Sequence, residues 1–228
     1  MQSAIEALET DGTALIKSAV RESQLESLND LFDGVGNGAG TRLSKLPAPL
    51  SALLWNGGAL HDIAVDLIGP TARPVRVLLF DKSERTNWQV AWHQDRTIAV
   101  AKRIDKQGFQ NWTTKGGIQH VEPPFEIMER LITLRLHFDD CGTDNGPLKT
   151  IEGSHRLGQL DQTKVTRLAE SGISHRHITE RGDVLALRTT IIHASAKAIK
   201  PVRRRVLHVE YSPDENPGSL EWALRVPN

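Results

Sequence analysis

The chain has 228 residues with 28 acidic and 28 basic side chains, so no net field draws it to nucleic acid or to an anionic membrane surface. A small-molecule substrate suits that balance better. Cys141 is the sole cysteine, which excludes an intramolecular disulfide framework and any cysteine-built zinc or iron–sulfur centre, and a reducing, cytoplasmic setting is expected. The start, MQSAIEALETDG, is acidic where a signal peptide has a basic start and an apolar run, and no later apolar stretch approaches membrane-spanning length. A soluble protein with no membrane role is therefore expected. The length suits one core, so residues 1–228 are read as a single domain.

In chain order, apolar spacing predicts helices over Ala4 to Glu9 and, behind a serine cap, over Ser23 to Phe32, with a short strand from Thr13 to Ile16 between them. GVGNGAG, Gly34 to Gly40, reads as a loop; it lacks the lysine and hydroxyl order of a phosphate-binding loop. Leu50 to Leu54 and Leu60 to Ile68 read as further short helices, completing a helical N-terminal layer over residues 1–70.

From residue 74 the texture changes to strands. PVRVLLF, LITLRLHF, GDVLALR and RRVLHVEY are short β-branched and apolar runs separated by turn-forming residues. In LITLRLHF, Ile132, Leu134, Leu136 and Phe138 fall on one face and Thr133, Arg135 and His137 on the other. One face suits a packed layer and the other a polar cavity. The expectation is a mainly β fold with flanking helices and a jelly-roll core over 74–212. Residues 97–124 exceed a tight turn and read as a lid-like insertion, with Trp112, Lys115 and His120 as candidate substrate contacts.

WHQDR sets His93 and Asp95 two residues apart, so an extended strand projects both to one side, where they can grip one ion. His193, after GDVLALR, could complete the set. Two imidazoles and one carboxylate form the facial triad of non-haem iron(II) oxygenases, which leaves positions for an oxo-acid and for dioxygen. An oxo-acid with a second carboxylate needs a cation for its far end, and Arg203, Arg204 and Arg205 follow His193 at a strand start.

WHQD at 92–95, DNGPLKTIEGSHR at 144–156, GDVLALR at 182–188 and HASAKAIKPVRRRVLHVEY at 193–211 together resemble the phytanoyl-CoA dioxygenase family. The resemblance implies a double-stranded β-helix, a cupin-like jelly roll, with Fe(II), 2-oxoglutarate as co-substrate and O2. It implies His93, Asp95 and His193 as metal ligands and hydroxylation of a small-molecule metabolite. It selects Arg204, eleven positions after His193 and seven before Tyr211, to hold the 2-oxoglutarate carboxylate. Two departures stand out. Glu152 replaces the usual proline before Gly153, and Arg135, with Thr133 and His137 beside it, stands where the family often offers an aromatic residue to the co-substrate. Thr133 and Arg135 are accordingly co-substrate candidates. Asp95 speaks against a halogenase, in which a small residue replaces this carboxylate. His120, His137, His155 and His208 are expected in hydrogen-bonded roles, and His61 on a helix surface. The competing readings are a metal-binding jelly roll acting as sensor, hydrolase or isomerase, which Arg204 argues against, and an interaction domain whose histidines are incidental, which the combined spacing opposes.

Overall fold

The computed structural model describes residues 1–33, 35 and 40–225. The expected glycine loop at Gly34 to Gly40 falls, but for residues 35 and 40, outside the described residues.

The N-terminal segment begins with helix α1 (Gln2–Thr10) and strand β1 (Thr13–Ile16), both as expected. Gly12 joins them at φ 81°, and a Cβ there would sit 2.4 Å from His155 Nδ1, so only glycine fits the turn. The expected helix from Ser23 to Phe32 is instead α2 (Glu22–Glu26) followed by a 3-10 turn, Asn29–Phe32. Arg21, not Ser23, caps it, with the Arg21 backbone N–H donating to the Gln24 side chain. The Ser27 hydroxyl donates to the Gln24 carbonyl, and Leu28 N–H bonds the Leu25 carbonyl, tightening the last turn and ending the helix. A two-residue strand β2 (Thr41–Arg42) precedes α3 (Ala48–Leu54) and α4 (Ala59–Ile68). The first 70 residues thus contribute two strands as well as helices.

Strands β3 (Arg73–Lys82) and β4 (Val90–His93) follow, then β5 (Ile98–Val100), β6 (Gln110–Lys115), β7 (Ile118–Glu122) and helix α5 (Phe125–Glu129). Beyond them run β8 (Ile132–His137), β9 (Leu148–Ile151), α6 (Gln162–Ser171), β10 (Ser174–Arg176), β11 (Val184–Arg188), β12 (His193–Ser195) and β13 (Arg204–Ser212). They form an antiparallel six-stranded sheet β1-β11-β8-β13-β3-β2, a four-stranded sheet β10-β9-β12-β4 and a three-stranded sheet β5-β7-β6. The first two face each other, with Leu148 of β9 packed on Leu185 and Leu187 of β11, as in a jelly roll.

The main core lies between the helices and the outer face of the six-stranded sheet. Leu8, Leu25, Leu50, Leu54 and Leu60 meet Val77, Leu79, Leu134, Leu136, Phe138 and Leu207 there. Each such leucine, fully buried, contributes roughly 1.5–3 kcal/mol. The alternation in β8 holds, since Ile132, Leu134, Leu136 and Phe138 all join this cluster. Its other face is buried too, because the four-stranded sheet covers it.

The segment 97–124 differs from the loop expected of it. It folds into β5, β6 and β7, whose Ile98, Val100 and Val121 pack with Phe109, Met128 and Trp222 in a satellite core. The strands escaped notice because β6, QNWTTK, is largely exposed and polar and its hairpin turns on Gly116 and Gly117.

Candidate active site

His93 ends β4 and His193 begins β12, and the two are direct cross-strand partners with ring centroids 4.3 Å apart. Asp95 lies two residues on. Its Oδ1 is 3.9 Å from His93 Nε2 and its Oδ2 3.9 Å from His193 Nε2. One ligand atom from each of the three lies within 4.8 Å of the others. Both rings are held alike: His93 Nδ1 lies 2.7 Å from the Ala91 carbonyl and His193 Nδ1 2.9 Å from the Ile191 carbonyl. A carbonyl only accepts, so each Nδ1 carries a proton and each Nε2 is left facing Asp95. Burial pushes His193 down to about 4, with Asp95 partly opposing, so the ring is neutral at neutral pH. Burial pushes Asp95 up, but His193, Arg76 and His93 outweigh it and hold the carboxyl at about 2. Two imidazoles and an ionised carboxylate are the donor set that iron(II) takes, so the residues fit the metal.

Buried side chains lock the ligand strands in place. Gln94, between the two ligands, donates to the Gly158 and Thr190 carbonyls and accepts from Leu160 N–H. Ser154 of the GSHR stretch accepts from Ile192 N–H, one residue before His193. His155 bonds the Glu9 carbonyl through Nε2, a scaffold role as expected.

The triad opens into a cavity of about 260 Å³ between the two large sheets, walled also by Leu78, Phe80, Trp88 and Val90. Of the three consecutive arginines only Arg204 lines it. Arg203 pairs with Asp81 at 2.8 Å, and Arg205 pairs with Asp139 at 2.7 Å on the opposite face beside Phe32 and Phe138. Arg204 is buried and donates at 2.7 Å to the carbonyl of Gly146 in the DNGPL loop. Gly146 has φ 61°, and a Cβ there would lie 2.6 Å from the Ala196 carbonyl oxygen, which requires glycine.

Arg135 also lines the cavity, donates to His208 Nδ1 at 3.0 Å and stacks over Phe80. Burial first, then the Arg204 charge, pushes it down to about 10, which leaves it cationic. Thr133 stands off the cavity, its hydroxyl 3.1 Å from that of Thr189 in a fully buried pair. Lys115 reaches the cavity wall. Trp112 instead packs on the satellite core beneath Arg103, and His120 is wholly buried with Nδ1 3.0 Å from the Ile118 carbonyl. Trp112 thus turns to that core, whereas His120 shares the face of Lys115, through its register with Ile118, and lies beside Arg42 and Arg76.

Sequence reasoning passed over Arg76, Lys82, Glu210 and Arg42, while His208 takes the hydrogen-bonded role expected of it, beside Arg135. Lys82 Nζ donates to Ser195 Oγ at 3.0 Å, and burial with the Arg204 and Arg135 charges lowers its pKa to about 7. Arg76 pairs with the buried Glu210 and donates to the Thr97 carbonyl. The alternation Arg76, Leu78, Phe80, Lys82 in β3 is the same period-two signal read in β8, and it could have found two of them.

The phytanoyl-CoA dioxygenase family model matches residues 8–206. The chain belongs to the phytanoyl-CoA dioxygenase family. It is an iron(II)- and 2-oxoglutarate-dependent dioxygenase, an oxidoreductase. Among solved structures it is similar to EctD from S. alaskensis in its apoform (TM-score 0.69, 17% identity, 93% of this chain and 76% of that one). It is also similar to HygX from Streptomyces hygroscopicus with nickel and 2-oxoglutarate bound (0.65, 16%, 93% and 87%). A third likeness is to EvdMO1 (0.68, 19%, 94% and 49%), of whose length the chain spans about half. These likenesses establish the cupin-like jelly roll. No curated protein sequence matches the chain.

Proposed function

We propose that His93, Asp95 and His193 hold the iron and that Arg204 takes the far carboxylate of 2-oxoglutarate, and that the enzyme hydroxylates a small-molecule metabolite with release of succinate and CO2. The observation that carries this reading is the convergence of two Nε2 atoms on the two oxygens of Asp95, in one cavity with Arg204. Held by these three residues, iron(II) would bind a keto-acid and dioxygen and would supply, with them, the oxidising power to act on a C–H bond. The protein's own contribution is positional. The Ala91 and Ile191 carbonyls fix both tautomers, and the Gly146 carbonyl orients Arg204 toward a planar carboxylate. Lys82 and Arg135 add positive charge at the same end, where Arg204 stands opposite Lys82 on the neighbouring strand. Leu78, Phe80, Trp88, Val90 and Leu148 offer apolar surface that excludes water around the substrate.

A small-molecule substrate is supported by the cavity's size and by the likeness to HygX, which has been crystallised with hygromycin B bound. The lone, buried Cys141 supports a cytoplasmic setting, and none of the described helices is long and apolar enough to cross a membrane. The test is succinate release from 2-oxoglutarate by protein supplied with iron(II) and ascorbate under air. Turnover lost in both His93→Ala and Arg204→Ala supports the reading. No turnover, with no calorimetric binding of 2-oxoglutarate to metal-loaded protein, reduces the protein to a metal-binding jelly roll.

A further inference from the structure

The cavity holds more positive charge than the co-substrate requires, and that charge is divided between its ends. Lys82 and Arg204 are cross-strand partners at one end of β3. Arg76 lies six residues back along β3 on the same face, roughly 20 Å away at 3.3 Å per residue. Arg42 of β2 stands directly opposite Leu78 and so shares the face of Leu78 and Arg76, which line the cavity with it. Lys115, at the tip of the β6–β7 hairpin, reaches the same end.

The cations there are not equivalent. Arg76 is neutralised by Glu210. Among the described residues Arg42 and Lys115 have no acidic partner, and the Arg42 Nε is buried without a hydrogen bond. Burial, followed by the charges of Arg42 and Arg76, pushes the Lys115 pKa down, with Asp95 partly opposing. Asp95, the acid of the cavity wall, is committed to the metal set. Bound iron and 2-oxoglutarate would balance each other and leave this end still cationic.

We infer that the substrate carries an acidic group, a carboxylate or a phosphate, and that Arg42 and Lys115 bind it at the end of the cavity opposite Arg204. This rests on the oxygenase reading and adds a substrate class to it. Anchoring the acidic group there lays the rest of the molecule across the triad, so the C–H bond attacked lies at a fixed reach from the anion. Arg42 on a strand supplies a rigid fork, and Lys115 on a hairpin tip an adjustable point charge.

Calorimetry on protein loaded with zinc(II) and saturating 2-oxoglutarate tests this, with phenyl phosphate, phenylacetate and uncharged benzyl alcohol as probes of matched size. An anionic probe should bind where benzyl alcohol does not, and the preferred one tells phosphate from carboxylate. Arg42→Gln and Lys115→Gln should each weaken it about tenfold, the loss of one charge-assisted hydrogen bond. Lys115 is exposed, so its replacement does not threaten the fold. Arg204→Gln should weaken 2-oxoglutarate and leave the affinity of the anionic probe. The proposal is overturned if the anions bind no better than the alcohol, or if Arg204→Gln rather than Arg42→Gln releases them. Failure of wild-type protein to bind 2-oxoglutarate would instead sink the oxygenase reading.

Discussion

The two faces of the six-stranded sheet are built from alternate residues of the same strands, yet they do opposite things to the free energy of the fold. On the outer face, Val77, Leu79, Leu134, Leu136, Leu207 and Val209 lie under helices with no polar atom to satisfy. On the inner face, Lys82, Arg135, Arg204, His208 and Glu210 are buried from water, and Arg76 is partly so, with incomplete pairing. Arg135 Nε, Arg204 Nε, His208 Nε2 and Glu210 Oε2 lack a partner. Desolvating such groups costs stability, which the outer face must offset. The lesson is that one strand can carry the hydrophobic core and the chemistry at once, since successive side chains never meet.

That separation can be broken by substitution, one face at a time. The largest effect belongs to the triad: His93→Ala or His193→Ala should bring succinate formation to background and remove one metal equivalent, while thermal unfolding of the apo-protein hardly moves. On the opposite face, Leu134→Ala should cost about 2–5 kcal/mol in denaturant unfolding. It should leave 2-oxoglutarate affinity intact per folded molecule, and a large loss of affinity there would show that the faces are coupled. Arg204→Gln should raise the KM for 2-oxoglutarate about a hundredfold through loss of a charge-assisted pair, with metal affinity kept.

The smallest effect is a pH dependence. With its pKa near 7, Lys82 is half protonated at neutral pH and loses its charge above it. An anion binds the protonated form better, so 2-oxoglutarate binding takes up a proton and weakens as pH rises from about 7 toward 9, by about threefold to tenfold. Calorimetry across that range should show the slope in wild type and a flat, weaker profile in Lys82→Met. A slope unchanged in the variant would remove Lys82 from the co-substrate end.

Much of the site was legible because it is written at short range. HxD needs only an extended strand to bring His93 and Asp95 to one side, and the pattern of LITLRLHF names its own core face. The helix over Ser23 to Phe32 was misjudged because apolar spacing of three and four fits a 3-10 turn nearly as well as a continuous helix. The strands of 97–124 were missed because their apolar partners, Met128 and Trp222, lie outside the segment.

The sequence by itself determined five strands of the six-stranded sheet, their alternation and the residue types at the metal site, since these depend on neighbours one to four positions away. Only the tertiary structure decided which atoms meet. His193 stands opposite His93, each Nδ1 is tied to a carbonyl, Arg204 alone of three arginines enters the cavity, and Lys82 and Arg42 occupy opposite ends of it. Those choices follow from the register between strands far apart in the chain, where a shift of one residue would turn every side chain to the other face.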